Sequence, residues 1–328
     1  MAVQKIAFRS LLKVTCPRSI AVAVLTATWV VTPVLAQSGV VLSYLGTAGW
    51  EISDGKAVIL VDPYISRLKH TTPNDAMLEE DSRPTFTAED LVKSDEAVID
   101  AHIKRADYIL ITHTHLDHAM DMPYIAKKTG ATVIGTQSTF DFARLSGVPV
   151  AQLIVVKGGE DYQFGSLSVR VIPSLHGVLR RAPNRPGGPV LRPAVFPPDA
   201  KPPFRLGDLL VEGGTLAYLI RVAGRQVLVF GSMNYIEREI DGLRPDVALI
   251  GAMPERREIY DYMNRLLRLL GNPRLVLPTH WDQFNVPYDV SQQPAIERLQ
   301  SFIAEVKAAS PGTKVVVPEY FRPIQVDR

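Results

Sequence analysis

His113-Thr114-His115-Leu116-Asp117-His118 follows directly on the apolar run Tyr108-Ile109-Leu110-Ile111. Three of the chain's seven histidines fall within these six positions, together with a carboxylate. A strand that ends in such a cluster delivers several metal ligands to one place. In extended chain, residues two apart share a face, so His113 and His115 can grip one ion together. Asp117 and His118, where the chain turns, point to a neighbouring position. Imidazole and carboxylate without thiolate suit zinc, with manganese or iron as the other ions such a set accepts. Two metals side by side favour hydrolysis. A solvated His-rich loop is a poorer account of the spacing, the ligand types and the position after a strand.

Outward from this cluster the chain alternates strand and helix signals. Residues 40–45, 50–53 and 56–61 read as short strands, with turns at Thr47-Ala48-Gly49 and Asp54-Gly55. A polar, proline-containing loop is expected at 66–87, a partly helical stretch at 88–104, and the strand feeding the cluster at 107–112. Segments 122–128, 132–135, 138–145 and 152–156 then alternate in type, and a strand at 168–173 runs into Ser174-Leu175-His176-Gly177. A second set follows: an apolar hairpin at 216–222 and 226–230, a buried strand at 247–250, and an amphipathic helix at 257–270 stopped by Gly271-Asn272-Pro273. A strand at 275–277 ends at Pro278-Thr279-His280, and a helix at 293–309 precedes a strand at 314–317. Strands first and mixed elements second, twice over, point to two α/β halves facing each other. No tandem repeat is visible.

Between 178 and 214 the pattern breaks. Eight prolines and five arginines (180, 181, 185, 192 and 205) crowd this stretch, which is too proline-rich for a regular element. It leaves the chain just after His176, so it is either a lid or substrate wall, or a surface insertion. Arg180 and Arg181 can be read as a clamp for an anion or as a solvated basic loop.

At 328 residues, with 46% hydrophobic and 21% charged side chains, the chain reads as globular with a sizeable core. Its first 36 residues stand apart. Lys5, Arg9, Lys13 and Arg18 precede the apolar run 20–31, and small residues lead to Ala36. This is the pattern of a secretory signal cleaved after Ala36; an uncleaved membrane anchor is the competing reading, but the run is short and Pro33 interrupts it. The domain expected is 37–328, carrying the proline-rich insertion at 178–214. Cleavage removes four basic and no acidic residues, turning a net charge of +2 into −2, and it removes the only cysteine, Cys16. A thiol-free, slightly acidic mature chain suits a periplasmic or secreted protein with a small-molecule substrate, no nucleic-acid partner and no membrane span after cleavage. Its oligomeric state is not legible.

His176, Ser232 and His280 each sit where a strand is expected to end. The series His113-Thr114-His115-Leu116-Asp117-His118, His176 and His280 resembles the metallo-β-lactamase superfamily in order and spacing. Tyr44-Leu45-Gly46-Thr47-Ala48-Gly49-Trp50 and Leu60-Val61-Asp62-Pro63-Tyr64 look like its first strands, particularly those of the ascorbate-phosphate-lactonase-like branch. The resemblance covers nearly all of the mature chain and implies a four-layer αβ/βα sandwich. It further implies that His113, His115 and His176 hold one zinc ion while Asp117, His118 and His280 hold a second. Three protein ligands per ion leave room for a shared water, which would act as hydroxide with Asp117 orienting it and taking its proton. By the same resemblance Asp62 is the carboxylate beneath the ligand loop; by local reading it is a capping residue before a proline turn.

One departure stands out. Many binuclear members carry a bridging aspartate where this chain reads Phe230-Gly231-Ser232-Met233-Asn234. The third subclass of true metallo-β-lactamases also lacks the bridge, with serine in the region, so its loss does not abolish hydrolysis. It does weaken the case for tight occupancy of the second site, and it argues against an iron-based redox role. Ser232 can bond a bound water, and Asn234 and Tyr235 can reach a substrate or serve an ordinary turn. The leading expectation is an exported hydrolase of an ester, lactone or phosphoester. The alternatives are a β-lactam hydrolase with a bridge-less zinc pair and a non-catalytic metal-binding module of the same fold, the latter motivated by Ser232.

Overall fold

Along Val58–Val61 the side chains alternate between two cores, Ile59 and Val61 entering one and Leu60 the other. The same alternation places Leu110 and Ile134 in the first core, and Ile109 and Val133 in the second. A strand with both faces apolar must be covered on both sides, and that requirement sets the layering. The computed structural model describes residues 39–70, 81–177, 195–197 and 200–326. The expected leader at 1–36, Arg180, Arg181 and the rest of 178–194 lie outside them.

Two sheets form the centre. The first contains β1 (Val40–Gly46), β2 (Gly49–Ser53), β3 (Val58–Val61), β4 (Tyr108–Leu110), β5 (Thr132–Gly135) and β6 (Leu153–Val155). The second contains β7 (Asp161–Phe164), β8 (Leu167–Leu175), β9 (Leu216–Val222), β10 (Arg225–Phe230), β11 (Asn234–Tyr235), β12 (Val247–Gly251), β13 (Leu275–Thr279) and β14 (Lys314–Val315). A last strand, β15 (Pro323–Val326), returns to the first sheet and pairs with β1. In the first sheet an antiparallel meander passes into the parallel run β3, β4, β5 and β6. The second sheet repeats the plan, with β8, β9 and β10 antiparallel and β10, β12, β13 and β14 parallel.

Residues from both sheets share one core, including Leu42, Trp50, Val171, Ile220 and Leu249, and Tyr218 Oη donates across it to the Ile111 carbonyl at 2.8 Å. Helices α1 (Glu96–His102), α2 (Leu116–Ala119), α3 (Met122–Thr129) and α4 (Gln137–Leu145) cover the other face of the first sheet through the second core. After the short α5 (Glu237–Ile240), α6 (Tyr262–Leu269) and α7 (Gln293–Ala309) pack on the second sheet. Ala295, Leu299, Phe302 and Val306 of α7 form the buried stripe that helical periodicity demands. The result is the expected αβ/βα sandwich. No helix among the described residues is long and apolar enough to cross a membrane.

Three expectations change. The helix read at 257–270 begins only at Tyr262, because Asp261 takes a left-handed conformation (φ 46°) and residues 254–258 form a separate 3-10 turn. The helix within 88–104 is confined to Glu96–His102, started by Asp95 accepting from the Val98 amide. The far half of the proline-rich stretch is not a surface excursion. Phe196, Phe204, Leu206, Leu209 and Val211 are buried in the second core, and Leu210 bridges to His115. Its apolar side chains, interspersed among prolines, reach the core with only one turn of 3-10 helix, Leu206–Leu209, to help them.

Candidate metal centre

Asp62, His113, His176 and His280 sit at or just beyond the carboxyl ends of strands. Asp62 follows β3, His113 comes just after β4, His176 follows β8, and His280 follows β13. These strands run in the same sense within each sheet, so their ends gather on one rim of the sandwich. The chain after His113 turns at once into α2, whose first residues include Asp117 and His118. The outcome is two trios. His113, His115 and His176 form one, and Asp117, His118 and His280 form the other, with the ligand atoms of each within 4.8 Å of one another.

Asp62 governs the protonation pattern of both trios. Its Oδ2 lies 2.8 Å from His118 Nδ1, and since a carboxylate only accepts, His118 carries a proton there and turns Nε2 inward. The same carboxylate accepts from Thr112 Oγ1 at 2.5 Å and the Thr112 amide at 2.7 Å. With its hydrogen so committed, the Thr112 hydroxyl accepts from His113 Nδ1 at 3.2 Å and leaves His113 Nε2 bare. That nitrogen faces His115 Nδ1 at 3.2 Å, while His118 Nε2 faces Asp117 Oδ2 at 3.5 Å and His280 Nε2 lies 3.0 Å from the same oxygen. Without an ion these groups can hydrogen-bond one another, and with one they present imidazole nitrogens and a carboxylate oxygen to a common point. The donor sets therefore fit a divalent ion in each trio. The capping reading of Asp62 gives way to one in which it orients ligands of both.

Electrostatics agree. Burial pushes His113 well below its ordinary value, His115 to about 4 and His176 to about 3, so all three are neutral bases at pH 7. Burial also pulls on His118, but Asp117 and Asp62 outweigh it and hold the ring above its ordinary value. For Asp117, burial opposes ionisation, yet His118 and His280 keep it below the usual carboxylate range.

Backbone strain marks the site as well. His280 is left-handed at φ 53°, and Asp62 at φ 42°. Each such residue costs on the order of 1–3 kcal/mol and persists only where its surroundings fix it. The His280 amide is fixed by a 2.6 Å bond to the Thr47 carbonyl, and the Asp62 amide by one to Leu110.

Ser232 does not stand between the trios as a free hydroxyl. It donates to the His176 carbonyl, while Asn234 Nδ2 donates to the Gly177 carbonyl at 3.1 Å. With β11 paired to the end of β8, both residues clamp the backbone that carries His176. The trios open onto a cavity of about 320 Å³, whose other wall includes Gly231, Ser232, Met233, Met253, Glu255, Glu258 and Phe284. Thr112, Gly231 and Glu255 were not singled out from the sequence. Gly231 lay inside a quoted motif, but its closeness to Thr112 and Asp62 is a tertiary fact with no local signal.

A family model described as "Beta-lactamase superfamily domain" matches residues 41–280. A UPF0173 metal-dependent hydrolase of Symbiobacterium thermophilum is 26% identical over 288 residues, covering 84% of this chain and 96% of that protein. Among solved structures, Igni18, a metallo hydrolase of Ignicoccus hospitalis, aligns with a TM-score of 0.54 at 19% identity over 88% of this chain and 99% of its own. CmlA, a diiron β-hydroxylase of Streptomyces venezuelae, aligns at 0.51 and 19% over 88% of this chain and 54% of its own. At such identities these two likenesses speak for the fold alone.

Proposed function

We infer the reaction from one premise: the chain belongs to the metallo-β-lactamase superfamily and is one of its metal-dependent hydrolases. We propose that the two trios hold two zinc ions and that the substrate is a small ester, lactone or phosphoester. Bound ions would supply Lewis acidity at a substrate oxygen and acidify water towards neutral pH. His113, His115 and His176 are neutral bases at pH 7, His118 and His280 complete the imidazole set, and Asp62 holds Nδ1 of His118, and through Thr112 that of His113, on the outward side. Asp117, the one carboxylate among the six, orients the attacking water and accepts its proton. Ser232 and Asn234 hold the His176 segment in place.

The observation that carries this reading is the pair of trios, side by side, with tautomers set by one shared carboxylate. Ser232 puts no carboxylate between them, which favours hydrolysis over iron redox chemistry. The similarity of the opening strands to the lactonase-like branch favours esters and lactones over β-lactams. Export through the leader at 1–36 belongs to the same proposal and rests on the sequence pattern.

Elemental analysis of the purified protein is expected to find about two equivalents of zinc. His280→Ala should keep one and lose hydrolysis by more than the about 10–100-fold that removal of an outer partner costs. Two equivalents and undiminished hydrolysis in that variant would defeat the binuclear assignment. Asp62→Asn, which can no longer accept on both sides and so must turn an NH₂ either to the Thr112 amide or to His118 and the Thr112 hydroxyl, is expected to weaken zinc binding about 10–100-fold. Competition against a chromophoric chelator measures this, and an affinity matching the wild type would remove Asp62 from its orienting role.

A further inference from the structure

Opposite the trios, the cavity wall is formed by Ser232, Met233, Met253, Glu255, Glu258 and Phe284. Among its described lining residues two are glutamates and none is a lysine or arginine. Glu255 Oε2 is fully enclosed and has no hydrogen-bond partner among the described residues. An enclosed carboxylate oxygen left unmatched is costly, and native structures rarely keep one without a use.

The segment bearing Glu255 is held firmly. Its neighbour Arg256, 1% exposed, donates to the Ala252 carbonyl at 2.7 Å and the Met253 carbonyl at 3.0 Å. The same guanidinium grips Glu305 on α7 at 2.8 and 2.9 Å and lies over the Phe302 ring. Arg256 therefore spends its charge on Glu305 and backbone, and leaves Glu255 unpaired. Glu258 is engaged in an interaction of its own and adds charge to the same wall. The rest of that wall suits the methylene skirt of an organic cation. Met233 and Met253 are soft and adaptable, and Phe284 offers an aromatic ring.

We propose that Glu255 is the specificity-determining residue of this cavity and that it selects substrates bearing a protonated amine. The proposal rests on the hydrolase reading above and names the chemistry of the substrate's non-reacting end. The ammonium group pairs with the Glu255 carboxylate where that side chain lines the cavity, while the scissile group lies at the trios. Against it stands a second role for the carboxylate, as compensation for the charge of two divalent ions.

Binding separates these roles without relying on turnover. Three hydroxamic acids of equal length, ending in an ammonium, a methyl or a carboxylate group, are titrated calorimetrically into the zinc-loaded protein. The ammonium compound is expected to bind about tenfold or more tightly than the methyl one, as befits one charge-assisted bond in an enclosed site, and the carboxylate one most weakly. Glu255→Gln should erase the ammonium-to-methyl ratio, and Glu255→Asp should retain part of it. Equal affinities, no binding, or a ratio that survives Glu255→Gln overturns the proposal. So does a Glu255→Gln variant whose zinc affinity falls while its ratio stays fixed. An ester and lactone panel left unhydrolysed by a protein that keeps the ratio would count against the reaction and not against this assignment.

Discussion

Replacing Gly231 by alanine is expected to unmake the metal centre without altering any of its six ligand-type residues. A methyl group added there would lie 1.9 Å from Thr112 Oγ1, 2.5 Å from Thr112 Cβ and 2.6 Å from Asp62 Oδ2. Favourable carbon contacts begin near about 3.5 Å, so all three are deep overlaps. None of these atoms is the free end of a flexible side chain. Thr112 Oγ1 is bound to Asp62, Asp62 to His118, and each of the three residues is fully or almost fully buried. Forcing a methyl into packed surroundings costs about 1–3 kcal/mol in ordinary cores. Here the displaced atoms also set two tautomers, so the loss should reach beyond stability. The expected result is a lower thermal midpoint together with loss of most bound zinc. Gly177→Ala is the matched control, since Gly177 lines the same cavity and its added methyl would meet nothing within 4 Å. A Gly231→Ala protein that melts and loads zinc like the wild type would show that the close approach is dispensable.

Arg67→Ala is expected to cost about 3–5 kcal/mol, the range for a buried ion pair stripped of one partner. The Arg67 and Asp282 side chains are 1% and 0% exposed and 2.8 Å apart. Arg67 also donates through Nε to the Val286 carbonyl at 2.6 Å and through Nη2 to the Gln283 carbonyl, and its guanidinium lies over the rings of Tyr288 and Tyr320. Asp282 in turn accepts from Tyr44 Oη at 2.8 Å, the Thr47 amide at 2.9 Å and Tyr320 Oη at 2.7 Å. Thr47 supplies the carbonyl that fixes strained His280. Loss of the guanidinium leaves a buried carboxylate uncompensated and loosens both ends of this chain of contacts. Lysine is not a conservative replacement, because one ammonium cannot reproduce the planar fork. Urea unfolding of the zinc-free protein, followed by tryptophan fluorescence, measures the cost free of metal linkage. A zinc titration should then reveal the deficit in the trio containing His280, with the other trio spared. A loss below about 1 kcal/mol would place the pair among those that contribute little.

The legible parts of this molecule are those whose physics is local. A hexapeptide of ligands after an apolar strand announces itself, and His176 and His280 were found because each follows an apolar run that ends abruptly. The strands missed are those without a signal of their own. Asp161–Phe164 is four residues long with a face only half-buried, Asn234–Tyr235 is two residues long, and Pro323–Val326 exists because it pairs with Val40–Ser43 far away in sequence. Arg257 reads as the polar start of an amphipathic helix, whereas Arg256, just ahead of it and without a signal of its own, turns inward to a partner 49 residues on. Asp62 had two equal readings because the choice between cap and ligand support depends on what stands opposite it. Only the fold puts Thr112 and His118 there.

The spread of the centre along the chain has a bearing on how the protein acquires metal. Asp62 and His280 are separated by more than half the polypeptide, and contacts of that span form only after long loops have closed. His113, His115, Asp117 and His118 need no such closure. They remain neighbours in the unfolded chain and offer an ion a partial grip before any sheet exists. A bound metal ion would therefore stabilise the native state only by the difference between the complete trios and this local fragment, and less than its affinity for the folded protein alone would imply. An ion captured early by the hexapeptide would also reach the two trios ahead of His176 and His280, and these would join it as the second sheet docks.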